Sequence, residues 1–167
     1  MGRAAETPAH DAIVCAPFGR IGLRCTAEVV TEIEYLPAGP ARAGEQPLAR
    51  EAARQIEAYL SDPSFVFDLP FELLGTPFRR RVWKLIADIP RGATRTYGDL
   101  ARDLVSAPRA VGQACGANPL PIMVPCHRVV ATGKGFNGGL GGFAHSRGGF
   151  LLEAKRWLLR HEGALAG

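Results

Sequence analysis

The chain has 167 residues, 47% of them hydrophobic, and a formal net charge of +4. That length and apolar content suffice for the core of one domain or two small ones and exclude a disordered chain. No apolar run approaches the ~20 residues of a membrane span, and Met1 to Thr7 lack the apolar stretch of a signal peptide, so a cytoplasmic protein without a membrane partner is expected.

Four cysteines (Cys15, Cys25, Cys115, Cys126) are too few and too irregular for a disulfide framework. His10, Cys15 and Cys25 contain no C-x-x-C pair, and Cys115 with Cys126-His127 has no fourth partner at zinc-like spacing, so no metal is expected. The net charge hides a split. Residues 1–73 hold 6 Lys/Arg against 11 Asp/Glu, a balance of −5, whereas residues 74–167 hold 14 against 5, a balance of +9. A basic half points to a polyanion.

Residues 11–36 alternate short apolar stretches with turn formers and predict a small antiparallel meander. A Pro/Gly/Ala-rich loop runs from Pro37 to Gly44. Arg50 to Leu60 predicts a helix with Ala52, Ala53, Ile56, Tyr59 and Leu60 on one side, and Phe65-Val66-Phe67 predicts a further strand. No residue of this half carries identifiable chemistry.

From Leu74 the pattern becomes helical. Thr76-Pro77 is a helix start, followed by Phe78, Val82, Leu85, Ile86 and Ile89 at helical spacing up to Pro90. Thr96 with Asp99 fits a capping box and opens a short helix with Leu100, Ala101 and Leu104 inward. Pro108 begins another, Arg109 to about Ala117. Two short helices across about four residues fit a helix-turn-helix. The second is lined by Ala110, Gly112, Ala114, Gly116 and Ala117 with Arg109 as its long cation. Such a surface permits close backbone approach to DNA, or tight packing on another helix. Eight glycines between Gly133 and Gly149 form a loop or wing, and Phe150 to His161 is helical again.

Pro125-Cys126-His127-Arg128 follows the apolar run Ile122-Met123-Val124. A thiol reacts as its thiolate, and a neighbouring imidazole is one means of generating it. The alternative is an inert core cysteine. Adjacent residues of an extended segment point to opposite faces, which disfavours a direct Cys–His dyad, as in a cysteine hydrolase, and favours a relay through water.

Taken together, Thr96-Tyr97-Gly98, Arg109-Ala110-Val111-Gly112, Asn118-Pro119, Pro125 to Val129 and Leu158 to Gly163 resemble the O6-alkylguanine-DNA alkyltransferases (methylated-DNA–protein-cysteine methyltransferases), over about residues 75–163. The resemblance implies an α/β protein with a ribonuclease-H-like N-terminal domain (1–73) and a C-terminal winged helix-turn-helix (74–167). It implies a monomer that repairs double-stranded DNA containing O6-alkylguanine by one irreversible transfer, with no cofactor. Cys126 is then the nucleophile, His127 its base, Glu162 the group orienting His127, Tyr97 the proton donor to the leaving purine and Asn118 the brace around Cys126. Arg109 enters the stack in place of the flipped base, although Asp99 is an alternative partner for it. Thr96, Gly98, Ala110, Gly112, Arg128 and Thr132 fall at the DNA. Pro125, Val129 and Phe143 (or Phe136) fall at the base pocket, where the carbonyls of Cys126 and Val129 read the base amine. The chain is about two residues shorter than familiar members between Tyr97 and Arg109. Its glycine loop is longer than theirs, which predicts a roomier alkyl pocket. A non-reacting lesion sensor is the alternative reading, and the retained Cys126 argues against it.

Overall fold

The structure, a computed structural model, describes residues 9–131 and 149–165. Thr132, Phe136, Phe143 and the glycine loop, with the pocket size expected from it, lie outside the described residues.

The meander forms as expected: β1 (Ala12–Ala16), β2 (Gly19–Cys25) and β3 (Val30–Leu36) make an antiparallel sheet in chain order. Pairing of Val14 with Ile21 and of Leu23 with Ile33 puts these side chains on the buried face. The tight β1–β2 connection needs Gly19: its φ is +143°, and a Cβ there would sit 2.4 Å from the Leu36 carbonyl oxygen. Helix α1 (Pro47–Ser61) packs on the sheet through Ala49, Ala52, Ile56 and Tyr59. It starts three residues earlier than Arg50 because Pro47 occupies its first turn, a signal present in the sequence.

Phe65-Val66-Phe67 is not a strand. Phe65 N donates back to Asp62 O at 3.1 Å, and Gln55 of α1 holds the residue after the segment, its side chain accepting from Asp68 N at 2.8 Å and donating to Asp68 O at 2.9 Å. The aromatic rings of Phe65 and Phe67 cluster with Tyr59. The outer edge of β3 is bonded elsewhere: Val30 N donates to Pro70 O and Ile33 N to Pro119 O, each at 2.8 Å. The second of these bonds ties the sheet to the basic half of the chain.

That half contains α2 (Pro77–Ala87), α3 (Tyr97–Leu104), α4 (Pro108–Gly116) and α5 (Phe150–His161). Thr76 caps α2 and Thr96 closes a capping box with Asp99. Trp83, buried on α2, donates its indole N–H to Ala114 O at 2.9 Å and so holds α4 in place. Only three residues, Val105 to Ala107, join α3 to α4.

Val105 caps α3 in the left-handed region (φ 51°, ψ 54°) while 95% exposed. A β-branched residue is strained there and nothing is gained by burial. Val105→Gly is expected to stabilise the fold by ~1 kcal/mol, a rise of roughly 2–4 °C in thermal midpoint. An unchanged or lower midpoint in a thermal melt would refute this.

Two short strands bring the chemistry-bearing segments together. β4 (Arg95–Thr96) and β5 (Val129–Val130) pair in parallel, Arg95 with Val129 and Thr96 with Val130. The residues just before Tyr97 therefore lie beside those just after Cys126-His127-Arg128.

Candidate active site

The backbone around Cys126 is bent twice. Ile122 has φ +75°, costly for a β-branched side chain. Pro125, at φ −80° and ψ 65°, closes an inverse γ-turn in which Cys126 N donates to Val124 O at 2.8 Å. Asn118 braces both bends. Its Nδ2 donates to Val124 O at 2.8 Å and lies 3.3 Å from Cys126 Sγ, and its Oδ1 accepts from Leu120 N at 2.9 Å. Cys126, His127 and Arg128 then form one 3-10 turn rather than the extended segment expected. Cys126 is 6% exposed and His127 wholly buried. Among the described residues Sγ bonds Asn118 and not His127.

Glu162, immediately after α5, is also buried. His127 Nε2 lies 2.8 Å from Glu162 Oε1. Burial pushes the Glu162 carboxyl up, but hydrogen bonds from Arg128 and His127 outweigh it and hold the group well below the usual carboxylate range. An ionised Glu162 accepts only, so Nε2 carries the proton and Nδ1 presents its lone pair. Nδ1 is buried with no hydrogen-bond partner among the described residues. Burial also keeps His127 below its ordinary pKa and raises the Cys126 thiol, although Asn118 and Lys155 oppose the latter. At rest the pair is neutral: thiol and imidazole.

Three further residues complete the site in roles not expected from the sequence. Arg128, expected at the DNA, turns inward instead: Nε and Nη2 donate to the two Glu162 oxygens at 2.9 and 2.7 Å, and Nη1 donates to Ile89 O at 2.6 Å. A buried carboxylate needs a cation, and among the described residues Arg128 supplies it. Tyr59 of α1 donates its hydroxyl to Glu162 Oε2 at 2.8 Å. Lys155, fully buried on α5, donates to Val129 O at 2.7 Å and sits 5.8 Å from the centre of the Tyr97 ring. Its burial lowers it to about 8, opposed by Cys126 and Cys115. The helical period alone would have marked Lys155, since it follows buried Leu152 and Ala154 and precedes buried Leu158 and Leu159.

Tyr97 is half-buried, and its hydroxyl is raised above its ordinary range by burial, with Cys115 and Cys126 adding to it. The Val129 carbonyl, expected to read a base amine, already accepts from Lys155, leaving one lone pair. Pro125 was expected in the base pocket. It lines a different cavity, of about 310 Å³, with Tyr59, Phe67 and Arg128. Cys126 opens instead on a cavity of about 500 Å³ whose wall includes Ile33, Tyr35, Cys115, Asn118 and Pro121.

On the α3–α4 surface, Arg109 is exposed, and Asp99 pairs with Arg102 instead of with it. Thr96 spends its hydroxyl oxygen on the cap of α3. A Cβ on Gly112 would meet only Tyr97 Cε1 at 4.0 Å, and one on Gly98 nothing nearer than 3.7 Å. Packing among the described residues therefore does not require glycine at either position. Ala110 is half-buried.

Comparison with known proteins agrees with this geometry. Residues 77–164 match the family described as the DNA-binding domain of 6-O-methylguanine DNA methyltransferase. The methylated-DNA–protein-cysteine methyltransferase of Methanosarcina acetivorans is 44% identical over 117 residues, 69% of each chain. That of Mycobacterium bovis is 37% identical over 155 residues, 88% of this chain and 93% of its own. The crystal structure of Mycobacterium tuberculosis O6-methylguanine methyltransferase superimposes with a TM-score of 0.73 at 34% identity, covering 93% of both chains. Mycobacterium tuberculosis OGT in complex with DNA gives the same score over 91% of both. A sulfur held by Asn118 beside a buried His127–Glu162 pair, in a chain this similar throughout its length, belongs to the methylated-DNA–protein-cysteine methyltransferase family.

Proposed function

We propose that this protein repairs DNA directly, taking the alkyl group of O6-alkylguanine onto Cys126 in one irreversible step. Kinship with the methyltransferases above supports the reaction. The observation that carries the residue assignment is the buried Nδ1 of His127, without a hydrogen-bond partner among the described residues and fixed by Glu162 as a proton acceptor within one residue of the thiol. One water bridging Nδ1 and Sγ would satisfy a nitrogen that otherwise costs stability and would carry the thiol proton to His127. The Sγ–carbon bond forms as the carbon–O6 bond breaks. The electron pair leaves on the purine, and the Tyr97 hydroxyl supplies the proton that neutralises it. Glu162 stabilises the imidazolium. The protein is its own acceptor, so the balance closes without a cofactor.

Arg109 occupies the position left by the everted base, and Gly98, Ala110 and Gly112 let the backbone approach the duplex, with Thr96 alongside. Residues 1–73 act as a ribonuclease-H-like unit and 74–167 as a winged helix-turn-helix. Intact-mass measurement after mixing with duplex containing O6-methylguanine tests the reading: one methyl per protein, on Cys126, is expected. Multiple turnovers, or no adduct, would overturn it.

The buried Lys155 ammonium lies where it lowers the cost of a thiolate at Cys126. Lys155→Met keeps the side-chain length and removes the charge. Single-turnover transfer is expected to slow by on the order of tenfold, since the thiolate loses a stabilising cation, while the thermal midpoint holds or rises because a desolvated charge is gone. A midpoint falling with no change in rate would assign Lys155 a structural role only.

A further inference from the structure

Glu162 is the anchor of the proton-accepting pair, and its partners arrive from separate parts of the chain. His127 and Arg128 come from the turn that holds Cys126. Tyr59 comes from α1, 103 residues earlier in the chain. It is 3% exposed, and its ring is held by Phe67 at 5.5 Å and by the edge of His161 at 5.3 Å. His161 Nε2 also bonds Tyr59 O at 2.6 Å, which fixes α1 against the end of α5 next to Glu162. A phenylalanine would satisfy these ring contacts equally. Burying the hydroxyl as well is costly unless the bond it makes is used.

We propose that Tyr59 is a positioning residue of the alkyl-transfer site, its hydroxyl holding the Glu162 carboxylate in the orientation and charge distribution that keep His127 a neutral base. The inference rests on the reading of His127 as the proton acceptor. Its physical content is a balance of charges. Glu162 favours the imidazolium, whereas Arg128 on the same turn and Lys155 on α5 disfavour it, as does burial. Among the described residues, Tyr35 of β3 and His161 of α5 also face Tyr59 and Glu162. By donating to Oε2, Tyr59 takes up part of the carboxylate's negative charge and weakens the pull on His127. The acidic, N-terminal half thereby tunes chemistry performed entirely by side chains of the basic half.

Tyr59→Phe tests this. Without the hydroxyl more charge faces His127, its proton affinity rises, and the neutral form is lost at a higher pH. The acid limb of the single-turnover rate profile and the His127 imidazole titration followed by NMR should both move up by about half a pH unit, roughly a threefold loss of rate on that limb. Phe67→Leu loosens the packing of the same ring without touching the hydroxyl. It should lower the thermal midpoint and leave both pH midpoints in place. Wild-type midpoints in Tyr59→Phe, or an equal shift in Phe67→Leu, would overturn the proposal. A wild-type protein that fails to transfer would overturn the reading of the site instead, and the NMR titration would still report on Tyr59.

Discussion

Cys126→Ser is expected to abolish transfer, with no methyl adduct by intact mass after a time in which the wild-type protein reacts to completion. The resting thiol is already raised by burial, and His127 is already below its ordinary pKa, so the proton transfer between them is uphill even for sulfur. A hydroxyl is several pKa units less acidic than a thiol, each unit a tenfold loss of the anionic nucleophile. Among the described residues Sγ has Asn118 at 3.3 Å as its hydrogen-bond partner, with Lys155 acting from a distance, and neither makes up for a less acidic group. Binding to the lesion-bearing duplex should persist, because serine changes no charge at the surface. Residual stoichiometric methylation of the serine variant would locate the acceptor elsewhere, and Cys115 in the same cavity would be the first place to look.

Arg128→Ala is expected to have the largest effect on stability. The guanidinium satisfies both oxygens of a buried carboxylate and the carbonyl of Ile89, which follows α2. Removing one partner of a buried ion pair leaves the other charge uncompensated and costs ~3–5 kcal/mol, a fall in thermal midpoint on the order of 10 °C. The pH dependence follows from the same pair. Glu162 is held below its unfolded pKa, so its contribution is full above about pH 4.3 and is lost as pH falls toward the folded value. That acid dependence should shrink in Arg128→Ala. Arg128→Lys keeps a charge but not the two-pronged geometry and should recover only part of the loss. A contact with DNA would behave differently: weaker, less salt-dependent binding with an unchanged midpoint. That result would restore Arg128 to the nucleic-acid surface.

Local chemistry made much of this protein legible in its sequence. The meander, the capped starts of α2 and α3, the proline that opens α4 and the extent of α5 follow from side-chain period and turn residues, which act over a few positions. Cys126 and His127, adjacent after an apolar run, are a local pattern too, and the structure buries both. The errors have one origin. Phe65-Val66-Phe67 has strand-like residues, yet Phe65 N turns back to Asp62 O and the backbone of the next residue, Asp68, is bonded by Gln55 of a helix. Arg128 looks like any cation of a basic half until Glu162, 34 residues on, is found against it.

What the sequence determined by itself was most of the helices and strands and the candidate groups they carry, since propensity, capping and spacing are properties of neighbours along the chain. Tertiary structure alone decided how those groups are tuned. Burial at Cys126, His127 and Lys155, and the convergence of Tyr59, Arg128 and His127 on one carboxylate, depend on which surfaces meet. Desolvation and charge pairing act through space, between residues up to 103 positions apart.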